Sequence, residues 1–158
     1  IAYLGPGQRQ FNVAINGTQV LTNFDIAAQV GFNTALDRTF NVTVGSAGQI
    51  AIAFTRGAAD NPIVNAIQIT PPTSPPPPPG TIRVNAGGPA YVDSQSNSWS
   101  ADCCNDGGMT YANAVPIAGT SDPALYQSQR WNAGPFTYTF SGLAAGSYQV
   151  TLKFAEIC

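Results

Sequence analysis

Residues 71–80 read PPTSPPPPPG. Proline fixes φ and has no amide hydrogen, so this run can join neither a helix nor the interior of a sheet. It is expected to adopt polyproline II, at about 3.1 Å per residue, and to span roughly 30 Å as a stiff spacer. The alternative is a loop inside one domain. Either way the run divides the chain into residues 1–70 and 81–158. Any core must be built by one of those segments alone or by both together.

Both segments carry strand patterns. Phe11, Val13 and Ile15 alternate with Asn12 and Ala14, and Asn16-Gly17 follows, a strong hairpin signal that returns the chain through Thr18 to Leu21. Phe40, Val42 and Val44 form another strand, then Ile50, Ile52 and Phe54, and Ile63, Ile67 and Ile69 lead into the prolines. Only Asp25 to Val30 reads as a short helix, capped by Asp25 and stopped by Gly31. After the prolines come Ile82 and Val84, then an irregular stretch, 85–123, rich in Gly, Ser, Asn and Asp. Long irregular stretches in compact domains are usually functional. Strands resume at Phe136, Tyr138 and Phe140. The last has Tyr148, Val150, Leu152 and Phe154 on one face, with Gln149, Thr151 and Lys153 on the other. Many short alternating strands predict an all-β fold, a β-sandwich or jelly roll.

Neither segment is expected to close a core by itself. The first opens on Ile1-Ala2-Tyr3-Leu4 with no evident partner strand, and the second stops at the end of its best strand. The two are expected to complete each other, within one chain or between chains.

Composition narrows the function. Charged residues are only 9% of the chain, with six Lys and Arg against eight Asp and Glu. This gives no electrostatic footprint for nucleic acid or an anionic membrane. A neutral polar surface of Asn, Gln, Ser, Thr and Gly suits an extracellular β-protein. There is no histidine, which removes the usual general base and the commonest metal ligand. No nucleophile has an adjacent base, so the chain is not expected to be an enzyme and no cofactor is implied. Asp102 and Asp106 in the loop DCCNDGG could offer oxygens to calcium, but lack the number and spacing of a known motif. Three cysteines, Cys103, Cys104 and Cys158, suggest one pair and one remaining thiol.

Several segments in consistent order carry a resemblance. They are VNAGG at 84–88, ALYQSQRW at 124–131, GSYQVTLKFAEIC at 146–158, GQRQFNVAINGTQVLTNFDIAAQVG at 7–31 and ADNPIVNAIQI at 59–69. Together they resemble the malectin and malectin-like domain family over almost all of the chain outside the spacer. The order is rotated. In the family the VNAGG segment opens the domain, FAE leads directly into GQR, and DNP closes it. The resemblance therefore reads 1–70 as the C-terminal half of a jelly-roll domain, 71–80 as a linker, and 81–158 as the N-terminal half. This fits one period of a tandem array, a subunit completed head to tail by an adjacent copy, or a circular permutant folding alone.

The resemblance also implies a site for glucose-containing oligosaccharides, built from aromatics and a carboxylate on loops at one end of the sandwich. Aromatic rings pack on the C–H face of a sugar while hydroxyls take directed hydrogen bonds. By motif, Tyr111, Trp131 and Asp60 match family site residues. The remaining family aromatics fall at Cys158 and Ile1, a departure that removes two stacking surfaces. Bland roles stand beside each assignment: Tyr111 packing beneath its loop, Trp131 in the core, Asp60 as a turn-former before Asn61-Pro62. Trp99 is a candidate extra stacking surface or a partly buried loop residue. Arg9 and Glu156 are read as a structural ion pair. The family arrangement brings the DCCNDGG loop and the end of the FAE strand to the sugar site, so one of Cys103 and Cys104 is expected to bond to Cys158. A bond between the adjacent pair is the alternative.

Two functions remain: a repeat unit of an extracellular fibre assembled from identical copies, and a carbohydrate-binding module. The rotated order, the lost aromatics and the proline run favour the fibre. Tyr111, Trp131 and Asp60 favour the module.

Overall fold

The computed structural model describes residues 5–72 and 80–158. The opening Ile1–Leu4 and residues 73–79, most of the proline run, lie outside the described residues, and the expectations placed on them with it.

Strand β1 (Gln10–Ile15) turns every second side chain inward, so Phe11, Val13 and Ile15 are buried. Asn16 and Gly17 both take positive φ, 48° and 80°. This is the type I′ geometry that matches strand twist, and β2 (Thr18–Phe24) returns antiparallel along β1. The hairpin strand runs further than Leu21 because Phe24 reaches the core, its ring 5.7 Å from that of Phe11. Helix α1 (Ile26–Val30) begins where the Asp25 carboxylate accepts from the Ala28 amide at 2.8 Å, and ends at Gly31, φ 77°. Then follow β3 (Leu36–Val44), β4 (Ile50–Ala59), β5 (Ile63–Val64) and β6 (Ala66–Thr70).

Beyond the prolines lie β7 (Ile82–Asn85), β8 (Tyr91–Val92), β9 (Ser98–Trp99), β10 (Met109–Ala112), a 3-10 turn (Pro123–Tyr126), β11 (Ser128–Trp131), β12 (Phe136–Phe140) and β13 (Gly146–Phe154). The fold is all-β. One four-stranded sheet has the order β12-β4-β1-β2 and a second has β3-β13-β6-β7. Each mixes strands from before and after the prolines. Strand β12 pairs along β4, and β13 lies between β3 and β6. Between the sheets, Phe154 of β13 meets Phe11 and Phe24, with ring centroids 5.8 Å and 5.1 Å apart. Phe136 of β12 stacks on Phe54 of β4 at 4.8 Å. The two segments thus close one core within a single chain.

Stretch 85–123 is less irregular than its composition suggests, because it carries β8, β9 and β10. Trp99, Ile117, Leu125 and Tyr126 form a second apolar cluster with Ala66, Ala155 and Ile157. Ala66 faces Lys153 in register, on the side of the second sheet turned away from the main core. The long stretch is therefore a lid packed on the sandwich. Trp99 belongs to that lid: only 3% exposed, it donates its indole N–H to Asp93 at 2.9 Å. It is a packing residue and offers no open stacking face.

Candidate functional site

Strands β10 and β11 form a ribbon that β5 extends, in the order β10-β11-β5. Register sets Tyr111 opposite Gln129, and Trp131 between Met109 and Ile63. Residues two apart on a strand share a face, so Tyr111, Gln129 and Trp131 project to one side of the ribbon. Two glycines let other backbone approach it. A Cβ on Gly87, φ 70°, would collide with the Gln129 carbonyl oxygen, and one on Gly108, φ 91°, would stand 2.6 Å from that of Trp131. Tyr111 is half-buried against the lid cluster and Trp131 half-buried against the main core. Each ring has a packed side and a partly exposed remainder.

Asp60 follows β4 and has φ 55°, a turn conformation, and Arg56 donates to its carbonyl at 3.1 Å. It forms a turn, and its carboxylate is also used: it pairs with Arg9 at 3.2 Å while keeping 32% of its side chain exposed. Arg9 is 4% exposed and spreads its guanidinium over several partners. Nε donates to Glu156 at 2.7 Å and Nη1 to the Asn61 carbonyl at 2.7 Å. Nη2 reaches Glu156 at 3.3 Å and the Cys158 sulfur at 3.8 Å. The Gln129 side-chain amide donates to the same sulfur at 3.7 Å. Contacts therefore run from Asp60 through Arg9 and Cys158 to Gln129, whose register partner is Tyr111 and whose strand continues to Trp131. Of the three residues singled out in the sequence, Asp60 lies on this contact path, and Tyr111 and Trp131 are related to it by strand register.

Burial governs the electrostatics. It pushes the Glu156 carboxyl above the usual range, against the downward pull of the Arg9 guanidinium and its hydrogen bonds. It also pushes the Cys158 thiol up, so that residue carries a protonated, weakly polar thiol. Arg9 is committed to its carboxylates and carbonyl. Gln129 is not fully used. It is 1% exposed, and its Oε1 has no hydrogen-bond partner among the described residues. The sequence reading passed over Gln129. Its signal was the spacing in QSQRW, which puts it on the Trp131 face once 128–131 is known to be a strand.

The expected bond between Cys158 and one of Cys103 and Cys104 is not formed. Cys103 bonds to Cys104, and Cys158 is free. The reason lies in how the DCCNDGG loop is held. Asp102 takes two hydrogen bonds from Arg130, at 2.8 Å and 2.5 Å, and one from the Tyr138 hydroxyl at 2.7 Å. Asp106 accepts from the Thr137 amide at 2.7 Å, and the Cys104 carbonyl from Thr139 at 2.8 Å. These contacts fasten the loop to β12, while Cys158 is held beyond β13 by Arg9 and Gln129. The same contacts engage both Asp102 oxygens and Oδ1 of Asp106, among the oxygens considered for calcium.

A second depression, a cleft of about 410 Å³, lies beside the lid, lined by Asp37, Asp93, Asp122, Trp99, Tyr126 and Lys153. Its carboxylates are already engaged: Asp37 by Tyr126 and Lys153, Asp93 by Trp99, and Asp122 by Tyr91 and Ser94.

Two packed antiparallel sheets around a shared core place the molecule among all-β sandwich domains. The Malectin domain family model matches residues 1–67 and 81–158, and the chain belongs to that family. Kinesin-like protein KIN-14E of Oryza sativa subsp. japonica is 40% identical over 78 residues, 48% of this chain and 7% of the relative. Malectin-B of Xenopus laevis is 33% identical over 79 residues, 47% of this chain and 29% of the relative. The chain thus spans well under two thirds of either relative's length. No solved structure matches.

Proposed function

We propose that this protein is a carbohydrate-binding domain for glucose-containing oligosaccharides, a binding rather than a catalytic module, using Tyr111, Trp131 and Asp60. The observation that carries this reading is the register that sends Tyr111 and Trp131 to one face of the ribbon, joined through Gln129, Cys158 and Arg9 to Asp60. Aromatic edges for sugar C–H faces beside a part-exposed carboxylate for hydroxyls are the elements such recognition needs. Membership of the malectin domain family and similarity to Malectin-B support the same reading. The fibre-forming repeat raised by the rotated order has no comparable support from the family or from these relatives. An extracellular setting goes with the module reading, on the neutral polar composition and the Cys103–Cys104 bond.

The test is a glycan array probed with the wild type and with Trp131→Ala and Asp60→Asn. Binding to glucose-containing oligosaccharides that both substitutions weaken supports the proposal. No glycan binding by the folded wild type defeats it.

A further inference from the structure

We propose that Gln129 is the residue that reads a sugar hydroxyl in this site, and that the Cys158 side chain is its cover. The inference rests on the carbohydrate reading above and adds a contact to it.

A glutamine amide offers two donors and an acceptor with two lone pairs. Buried side-chain polar atoms nearly always find partners, and one that does not needs an explanation. Gln129 is buried, its Nε2 has only a long contact to a thiol at 3.7 Å, and its Oε1 has none among the described residues. A methionine would fill similar space without leaving an acceptor unused. The position of this orphan acceptor matters. It stands opposite Tyr111 in register, on the face that Trp131 shares, and one sulfur away from Arg9, which in turn pairs with Asp60. The neighbouring cation is taken up by Glu156, Asp60 and the Asn61 carbonyl, so it has little left for a ligand. A ligand hydroxyl is a donor of the right size for Oε1. Cys158 is the half-exposed residue in contact with the amide. Its side chain turns on a single torsion, so one rotation moves the sulfur off Nε2 and frees the amide to turn Oε1 towards a ligand hydroxyl.

The experiment is calorimetric titration of the full chain with maltose, cellobiose and laminaribiose, then with the monodeoxy analogues of whichever binds. Gln129→Met is expected to weaken the parent disaccharide about tenfold, the cost of one lost hydrogen bond in a buried setting. It is also expected to bind one monodeoxy analogue as tightly as the wild type does, with no fall in melting temperature. In the wild type, the Gln129 side-chain amide resonances should shift on saturation with the disaccharide. That readout does not depend on any variant folding. Cys158→Ala should bind at least as tightly as the wild type. If the amide resonances stay put, or Gln129→Met matches the wild type across parent and deoxy sugars while Trp131→Ala weakens binding, the Gln129 contact is wrong and the carbohydrate reading survives. Weaker binding by Cys158→Ala overturns the cover. No disaccharide binding by the wild type overturns the inference, and the absence of any bound glycan on the array removes the reading beneath it as well.

Discussion

Arg9 and Glu156 are 147 positions apart in sequence and 2.7 Å apart in space, both out of solvent. Arg9 stands just before β1 and Glu156 just after β13, so their pairing ties the first strand of one sheet to the central strand of the other. The guanidinium also holds Asp60 and the Asn61 carbonyl. One buried cation therefore fixes both the closure of the sandwich and the turn that carries Asp60. Removing either partner leaves the other charge buried. Arg9→Met and Glu156→Gln are each expected to cost about 3–5 kcal/mol in urea denaturation. The double variant should cost less than their sum.

Interleaving of the two segments predicts complementation. Fragments 1–72 and 80–158, produced separately, should lack cooperative unfolding transitions, because each lacks strands that both sheets require. Mixed, they should co-elute and regain one transition by circular dichroism. Two independently folded fragments would contradict the shared sheets.

Gly87 bears on the site through β11. Any side chain there meets the Gln129 carbonyl oxygen, in a backbone conformation that disfavours a Cβ. Gly87→Ala should cost at least about 2 kcal/mol in thermal or chemical unfolding and weaken sugar binding as Gln129 is displaced. Gly17, φ 80°, has open space around it, so Gly17→Ala isolates the backbone term. It should cost about 1 kcal/mol and leave binding unchanged.

Asp93 organises one end of the lid. The Trp99 indole N–H holds its carboxyl down to about 2, helped by the Asn97 and Gln95 amides. The folded value lies below that of an unfolded aspartate. The unfolded chain therefore binds more protons on the acid side, and the stabilisation is complete above about pH 4. It is lost as the pH falls towards 2. In a Trp131→Phe background, Trp99 fluorescence should report an acid transition centred near pH 2. Asp93→Asn should lose that titration.

The cysteines give a mass-spectrometric prediction. Unfolded without reductant, the chain should take up one alkylating group, at Cys158, and two more after reduction. A bridge from Cys158 to either neighbouring cysteine would leave Cys103 or Cys104 as the labelled site instead.

Much of this was readable from the sequence because it is local. The Asn16-Gly17 turn, the Asp25 cap, the Gly31 stop and the inward faces of β1, β4, β12 and β13 follow from backbone sterics and two-residue periodicity. Motif resemblance named Tyr111, Trp131 and Asp60 as candidates, and the expected Arg9–Glu156 ion pair is formed. The expected cysteine bridge failed because Asp102, Asp106 and Cys104 bind β12, a partnership between residues about thirty apart that no local pattern announces. Trp99 read as a possible binding surface because a loop of polar residues conceals which apolar side chains are anchors. Gln129 looked like an ordinary strand residue, since the neighbours that leave its oxygen unused arrive from β10 and from beyond β13.

The sequence by itself determined that the chain is built of strands, where those strands turn, and that the proline run interrupts them. These features depend on each residue and its near neighbours. Which strands lie side by side was decided only in three dimensions, by burying Phe11, Phe24, Phe54, Phe136 and Phe154 between two sheets drawn from both sides of the prolines. The surroundings of the candidate residues were decided there as well. A register between distant strands put Tyr111, Gln129 and Trp131 on one face, and a buried guanidinium, neutralised by carboxylates from far along the chain, holds Asp60 and touches Cys158, which Gln129 also touches.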